Sequence, residues 1–187
     1  MITFIATSHD ETYESHLFIS SLKLQTNNNW KCIIYNDGPN EYIKNVVNEF
    51  NDHRIRYFDS EKPNGFWGHY NRRKSLEYVD TEFLIQTSIQ DYYIPTAVDE
   101  LSKSSVMDND LILFNCLHNH FNYRTLNSTP KIAHVDWGCH MIRTNISKIV
   151  GIENPESPTC DGLFVEKCME YPNIKYYKLD KILTVHN

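Results

Sequence analysis

Four acids and one histidine, Asp37, Asp91, Asp136, Asp161 and His186, sit where a side chain could do chemistry. Asp91 follows EFLIQTSIQ, a run that reads as a buried strand ending in a lone carboxylate. Such a group is a hard ligand for Mg²⁺ or Mn²⁺, which take one or two protein carboxylates together with phosphate oxygens. The competing role is an acid favoured by the dipole of a helix opening at Pro95. Asp37, in YNDGPN, could accept hydrogen bonds from a base or ribose, or simply shape an Asn-Asp-Gly turn. Asp136 precedes Trp137 and Gly138; an indole face suits a sugar ring, and equally fills a core beside a tight turn. Asp161, in TCDGLFVEKC, stands at a helix start, where it could cap the helix or act as a base. His186 could ligate a metal through a neutral ring nitrogen or be merely solvated.

Two further groups compete for attention. Asn71, Arg72, Arg73 and Lys74 form a basic cluster that could offset a diphosphate or line an exposed helix face. Cys116, His118, His120, His134, Cys139 and His140 invite a zinc reading. Their spacing lacks the paired pattern of zinc sites, so this reading ranks last.

The elements that must position these residues alternate. ITFIATS reads as a strand, stopped by Ser8, His9 and Asp10. Tyr13, Leu17, Phe18, Leu22 and Leu24 fall near helical spacing. WKCIIY is a strand ended by the NDGPN turn. Tyr42, Ile43, Val46, Val47 and Phe50 form a helical stripe, and RIRYF is a third strand. KPNGFWG leads into a helix running through Leu76 to Val79. EFLIQTSI is a fourth strand, Pro95 opens a helix at its favoured first position, and DLILFNC is a fifth strand. The second half is less regular. Residues 119–130 read as a loop or hairpin, and HVDWGCHMIRT as strand pieces around a glycine turn. TNISKIVG is a helix capped by Thr144 and stopped by Gly151. Residues 161–170 form another helix, and KYYKLDKILTVHN one or two closing strands.

This alternation predicts an α/β fold, a mostly parallel sheet with helices on both faces. Ligands of such sheets sit outside the carboxyl ends of the strands. Ser8, Asp37 and residues 88–91 then share one edge.

The 187 residues suit one domain. A net charge of −6 argues against a protein that coats nucleic acid. No apolar run is long enough to span a bilayer, and MITFIATSHDE lacks the basic lead-in of a signal peptide. Five scattered cysteines without a CxxC pair fit buried, reduced thiols in the cytoplasm.

In their order, these segments resemble family-2 glycosyltransferases of the GT-A fold. SLKLQTNNNWKCIIYNDGPNE resembles the opening block, in which a strand reaches an Asp-Asp-Gly-Ser turn; Asp37 and Gly38 match its second Asp and its Gly. GHYNRRKSLEYVDTEFLIQTSIQDYYIP resembles the next block, a helix with Ala-Arg-Asn followed by a strand and an Asp-x-Asp-Asp motif. Asn71 matches that Asn. DWGCHMIRTNISKIVGI resembles the acceptor-side segment, TCDGLFVEKC the helix whose first acid is the catalytic base, and ILTVHN the closing strand with a metal-binding histidine. The chain departs from the pattern in three places. The acidic motif is reduced to Ser88-Ile89-Gln90-Asp91, the turn is NDGP, and Tyr70 replaces the family's Arg.

The resemblance implies a single GT-A-type, nucleotide-diphospho-sugar transferase domain over 1–187. Residues 1–95 would be its nucleotide-binding half and 96–187 its acceptor-side half. It implies an inverting, metal-assisted sugar transfer from a nucleotide-diphosphate sugar, with a UDP-sugar as the expected donor, to an acceptor hydroxyl. Asp161 would be the base; Ser8, Asp37, Asn71 and Asp91 would bind the donor. Asp136 and Trp137 would position sugar, and Asp91 and His186 would hold Mn²⁺ or Mg²⁺ at a weakened site. A glycan, a protein, a lipid-linked sugar or a modified base would serve as acceptor. The rival is a sugar- or nucleotide-binding module of the same fold with impaired catalysis, favoured by the eroded acidic motif.

Overall fold

The computed structural model describes residues 1–9 and 13–187; Asp10 lies outside the described residues. The first half runs β1 (Ile2–Ser8), α1 (Glu14–Lys23), β2 (Trp30–Asn36), α2 (Glu41–Phe50) and β3 (Ile55–Asp59). A 3₁₀ turn over Phe66–Gly68 leads into α3 (His69–Ser75), then β4 (Phe83–Ser88) and β5 (Tyr92–Tyr93). The second half runs α4 (Ala97–Leu101), α5 (Ser104–Met107), β6 (Leu111–His118), β7 (Arg124–Leu126), β8 (His140–Arg143), α6 (Thr144–Val150), α7 (Cys160–Met169) and β9 (Tyr176–His186).

The strands form one nine-stranded sheet in the order β3-β2-β1-β4-β8-β6-β9-β5, with β7 beside β6. β3, β2, β1 and β4 are mutually parallel, as the alternation requires. β6 and β9 are also parallel to each other. β8 runs antiparallel between β4 and β6, and β5 and β7 are antiparallel edge pieces. No helix joins β7 to β8, so no right-handed crossover is built there, and the chain enters β8 from a short 3₁₀ turn at Trp137–Cys139. Two apolar layers flank the sheet. One gathers Phe4, Phe18, Leu22, Ile34, Ile85, Phe114 and Leu183. The other gathers Ile5, Leu84, Leu113, Trp137, Ile142, Phe164 and Val165.

Three local expectations are corrected. α1 buries Ser15, Phe18, Ile19 and Leu22, while Tyr13, Leu17 and Leu24 are exposed, so its inner face is rotated from the expected stripe. Pro95 lies in the turn before α4, whose helical residues begin at Ala97; a proline need not occupy the first helical position to end a strand. Thr144 is the first helical residue of α6 and Arg143 the capping position, with no side-chain cap bond. Gly151 ends α6 at φ 64°, as expected. No described helix is long and apolar enough to cross a membrane.

Candidate active site

The carboxyl ends of β1 and β4 lie side by side, with Thr7 paired to Ser88. At the far side of the sheet, β6 and β9 end in register, with His118 paired to His186. Between these ends opens a cleft of about 420 Å³. Ser8, Asp91, Asp136, Trp137, Asp161 and His186 all line it, joined by Trp67, His69, Arg72 and His118. Asp91, Asp161 and His186, far apart in sequence, thus share one site.

Asp91 is 1% exposed and its oxygens are engaged within the protein. Oδ2 accepts from Thr87 Oγ1 at 2.5 Å and from Ser88 N at 2.9 Å. Oδ1 lies 2.8 Å from His186 Nδ1. The acid therefore orients the imidazole from behind. Gly138 makes room for it, because a Cβ there would stand 3.0 Å from Asp91 Oδ2. Burial opposes charge on His186, but the Asp91 hydrogen bond and the Asp136 charge outweigh it and push the ring up to about 9.

One ligand atom each from His118, Asp136 and His186 lie within 4.8 Å of one another. The set fits a divalent ion of the transition series. It offers two ring nitrogens and one carboxylate oxygen, and the second nitrogen of His186 is held by a carboxylate, as metal-bound histidines usually are. Asp136 Oδ1 also accepts from Gly138 N at 2.9 Å, which fixes that acid at the start of the 3₁₀ turn. The six-residue Cys/His group does not assemble. His120 and His134 are exposed, Cys116, Cys139 and His140 are buried, and only His118 joins the cluster.

Asp161 sits in the first turn of α7, and its Oδ1 accepts from Gly162 N at 2.7 Å. Burial, and then the negative charge of Asp136, push its carboxyl up to about 6. That value suits a group that takes a proton near neutral pH. α7 comes close enough because residue 162 is glycine: a Cβ there would lie 2.5 Å from the Ile132 backbone.

Of the basic cluster, Arg72 turns inward and is 4% exposed, while Arg73 and Lys74 stay at the surface. Its guanidinium donates to Trp67 O at 2.6 Å and to Thr87 O at 2.9 Å. Burial lowers its pKa to about 10 against the pull of Asp136, Asp91 and Asp161, so it remains a cation. His69 Nδ1 donates to Pro155 O at 2.8 Å, and burial, with Arg72 nearby, lowers the ring to about 4, so it is neutral. Trp137 is buried, with His69, His140 and Phe164 rings 5.4–5.8 Å away. Most of its indole is core, and an edge reaches the cleft.

Asp37 and Asn71 stand outside this cleft. Asp37 lines a second cavity of about 520 Å³ with His9, Pro63, Gly65, Phe66, Trp67 and Gly68. Its Oδ1 accepts from Asn64 N at 2.8 Å and from Asn71 Nδ2 at 3.0 Å, and its Oδ2 from Gly65 N at 2.7 Å. The pair thus ties down the loop before α3. In the sequence, His69 and Trp67 carry no mark of a site. Arg72 and His118 stand out there only as members of larger groups. For His118 a signal existed: it closes β6 as His186 closes β9.

Residues 16–87 match the model of glycosyl transferase family 2. No curated protein matches in sequence. Among solved structures, S. aureus TarS is similar over 100% of this chain and 36% of its own, at 17% identity and TM-score 0.81. S. aureus TarS 1–349 in complex with UDP-GlcNAc is similar over 98% and 57%, at 15% identity and TM-score 0.81. The mannosyltransferase PcManGT from Pyrobaculum calidifontis, with GDP-Man and Mn²⁺, is similar over 99% and 56%, at 11% identity and TM-score 0.74. The chain spans between about a third and three-fifths of these structures. Residues 16–87 are thus similar to glycosyl transferase family 2, and as a whole the chain has the fold that these solved structures share, the GT-A fold.

Proposed function

We propose that the chain is the catalytic domain of an inverting glycosyltransferase that moves a sugar from a nucleotide-diphosphate sugar to an acceptor hydroxyl. The observation that carries this reading is the convergence of Asp161, Arg72, Asp136 and His186 on one cleft at the strand ends. The structural neighbours solved with UDP-GlcNAc and with GDP-Man support a nucleotide-sugar donor, and a UDP-sugar is the first to test. Residues 1–95 would supply the donor side, through Ser8, Arg72 and the loop held by Asp37 and Asn71. Residues 96–187 would supply the acceptor side and the base.

In this mechanism the acceptor oxygen attacks the anomeric carbon as Asp161 takes its proton. The bond from that carbon to the diphosphate oxygen breaks, and its electron pair leaves with the nucleoside diphosphate. Arg72 lends a fixed positive charge to the cleft where that negative charge grows. His118, Asp136 and His186 would hold Mn²⁺ or a similar ion, with Asp91 orienting His186; such an ion supplies Lewis-acid stabilisation of the departing diphosphate. Asp136 and the exposed edge of Trp137 would bound the sugar. The hydroxyl could belong to a glycan, a protein, a lipid-linked saccharide or a modified base.

The test is nucleoside-diphosphate release from UDP- and GDP-sugars, with Mn²⁺ and without, and anomeric proton spectra of the product. Asp161→Asn should keep donor affinity and lose turnover at least about a hundredfold; turnover near the parent's level removes Asp161 as base. One observation favours a binding module without catalysis. Asp91, the last acid of the reduced motif, is buried and already bonded to Thr87, Ser88 and His186. That reading requires donor binding with no release for any acceptor.

A further inference from the structure

Four consecutive residues, Gly65, Phe66, Trp67 and Gly68, have positive φ, at 73°, 55°, 54° and 74°. Glycine adopts this region freely, but two bulky aromatics there hold a backbone that L-residues avoid. Such strain persists only where the surroundings fix it. Here Asp37 accepts the Asn64 and Gly65 amides, Arg72 donates to the Trp67 carbonyl, and Gly68 packs so tightly on β1 that a Cβ would lie 2.8 Å from Thr7. The result is a fixed loop with its largest apolar side chain outside: Trp67 is 63% exposed. Trp67 lines both the cleft and the Asp37 cavity.

We propose that Trp67 is the stacking platform for the nucleobase of the donor, and that this loop selects the donor by stacking rather than by a carboxylate reading the base. The proposal rests on the nucleotide-sugar reading above. The two cavities differ in chemistry. The cleft holds the Arg72 cation, where a diphosphate belongs. The adjoining cavity has Pro63, Phe66 and Trp67 as walls, and its single acid, Asp37, is occupied by Asn64, Gly65 and Asn71. A planar, weakly polar ring suits such walls, and a nucleoside 5′-diphosphate is the ligand with an aromatic ring at one end and anions at the other. Stacking discriminates poorly among bases, because every base offers a π-face. UDP and GDP should therefore bind with affinities closer together than a base-reading acid would permit.

The molecule carries its own reporter. Of its three tryptophans, Trp30 and Trp137 are buried and Trp67 is exposed. In the intact chain, saturating UDP should quench Trp67 emission and shield it from iodide. Trp67→Ala should weaken UDP binding by calorimetry at least about fivefold, and Trp67→Phe should restore most of it. Trp67→Gly, which suits the left-handed backbone, should lose affinity with a Tm no lower than the parent's, separating loss of the ring from loss of the loop. Unchanged UDP affinity in Trp67→Ala and Trp67→Gly would overturn the platform while leaving the nucleotide-sugar reading intact. Quenching by acceptor saccharides but not by UDP or GDP would overturn it in favour of an acceptor contact. A parent chain that binds neither UDP nor GDP sinks the donor reading, and the platform with it.

Discussion

Asp161→Asn should make the protein more stable and less active at once. The carboxyl rises from 3.8 to about 6, first through burial and then through the charge of Asp136. In the folded protein it therefore holds a proton that the unfolded chain releases at lower pH. Well below pH 4 both states are protonated and the group contributes nothing to pH dependence. As pH rises from 4 through 6 the folded state has to ionise it in a poor environment, and stability falls. Fully ionised, the penalty is about 3 kcal/mol, an upper bound because solvent reaches part of the side chain. Asparagine removes the charge and keeps an oxygen to accept from Gly162 N. Urea denaturation of parent and variant at pH 4 and pH 8 measures the difference. The variant's advantage at pH 8, less its value at pH 4, should be about 1–3 kcal/mol. With Asp161 as the proposed base, turnover of the parent should fall about tenfold per pH unit below 6 as that carboxyl is protonated. A stability difference that does not change with pH would refute the reasoning, because Asp161 would then titrate as an ordinary surface acid.

Three further outcomes follow from the site. Gly138→Ala leaves the backbone unstrained but drives a methyl to 3.0 Å from Asp91 Oδ2; it should misalign His186 and lower turnover about tenfold with a Tm drop of only a few degrees, and unchanged kinetics would show that Asp91 does not position the ring. Asp37→Ala leaves the Asn64 and Gly65 amides without their acceptor; a loss of about 2–4 kcal/mol in urea denaturation, with faster hydrogen exchange at those two amides, is expected. His118→Ala should weaken Mn²⁺ binding, read by electron paramagnetic resonance on the donor-free protein, about tenfold or more, whereas Cys116→Ala should leave it unchanged.

Much of this architecture is legible in the sequence, because the strands feeding the cleft are short apolar runs closed by turn residues. Ser8, Asp37 and Asp91 fall at the ends of such runs, so their shared edge follows from the parallel order alone. What the pattern hides is rotation and partnership. The helix at 14–23 offers two apolar stripes, and Ser15 is small enough to enter the core, so hydrophobic spacing points to the wrong face. Arg72 sits in a run of basic residues that reads as a solvated surface; it lies instead on the buried face of α3, with His69, Asn71 and Ser75. Asp91 looks free at a strand tip, yet Thr87 and Ser88 turn back on it locally and His186 reaches it from a position that no local pattern connects. His118 is hidden for the same reason: its partner stands 68 positions further on, paired only across the sheet.

That pairing has a consequence for how the molecule is made. β9 inserts between β6 and the two-residue β5, so the sheet stays open until the last strand slots in. Its register with β6 joins residues such as Leu111 and Tyr176, 65 positions apart, and long-range pairing of this kind is expected to slow folding. His118 and His186 reach their spacing only once that pairing forms. A chain whose β9 is unpaired lacks the grouping of His118, Asp136 and His186, and the seam between β6 and β9 works as the latch that completes it.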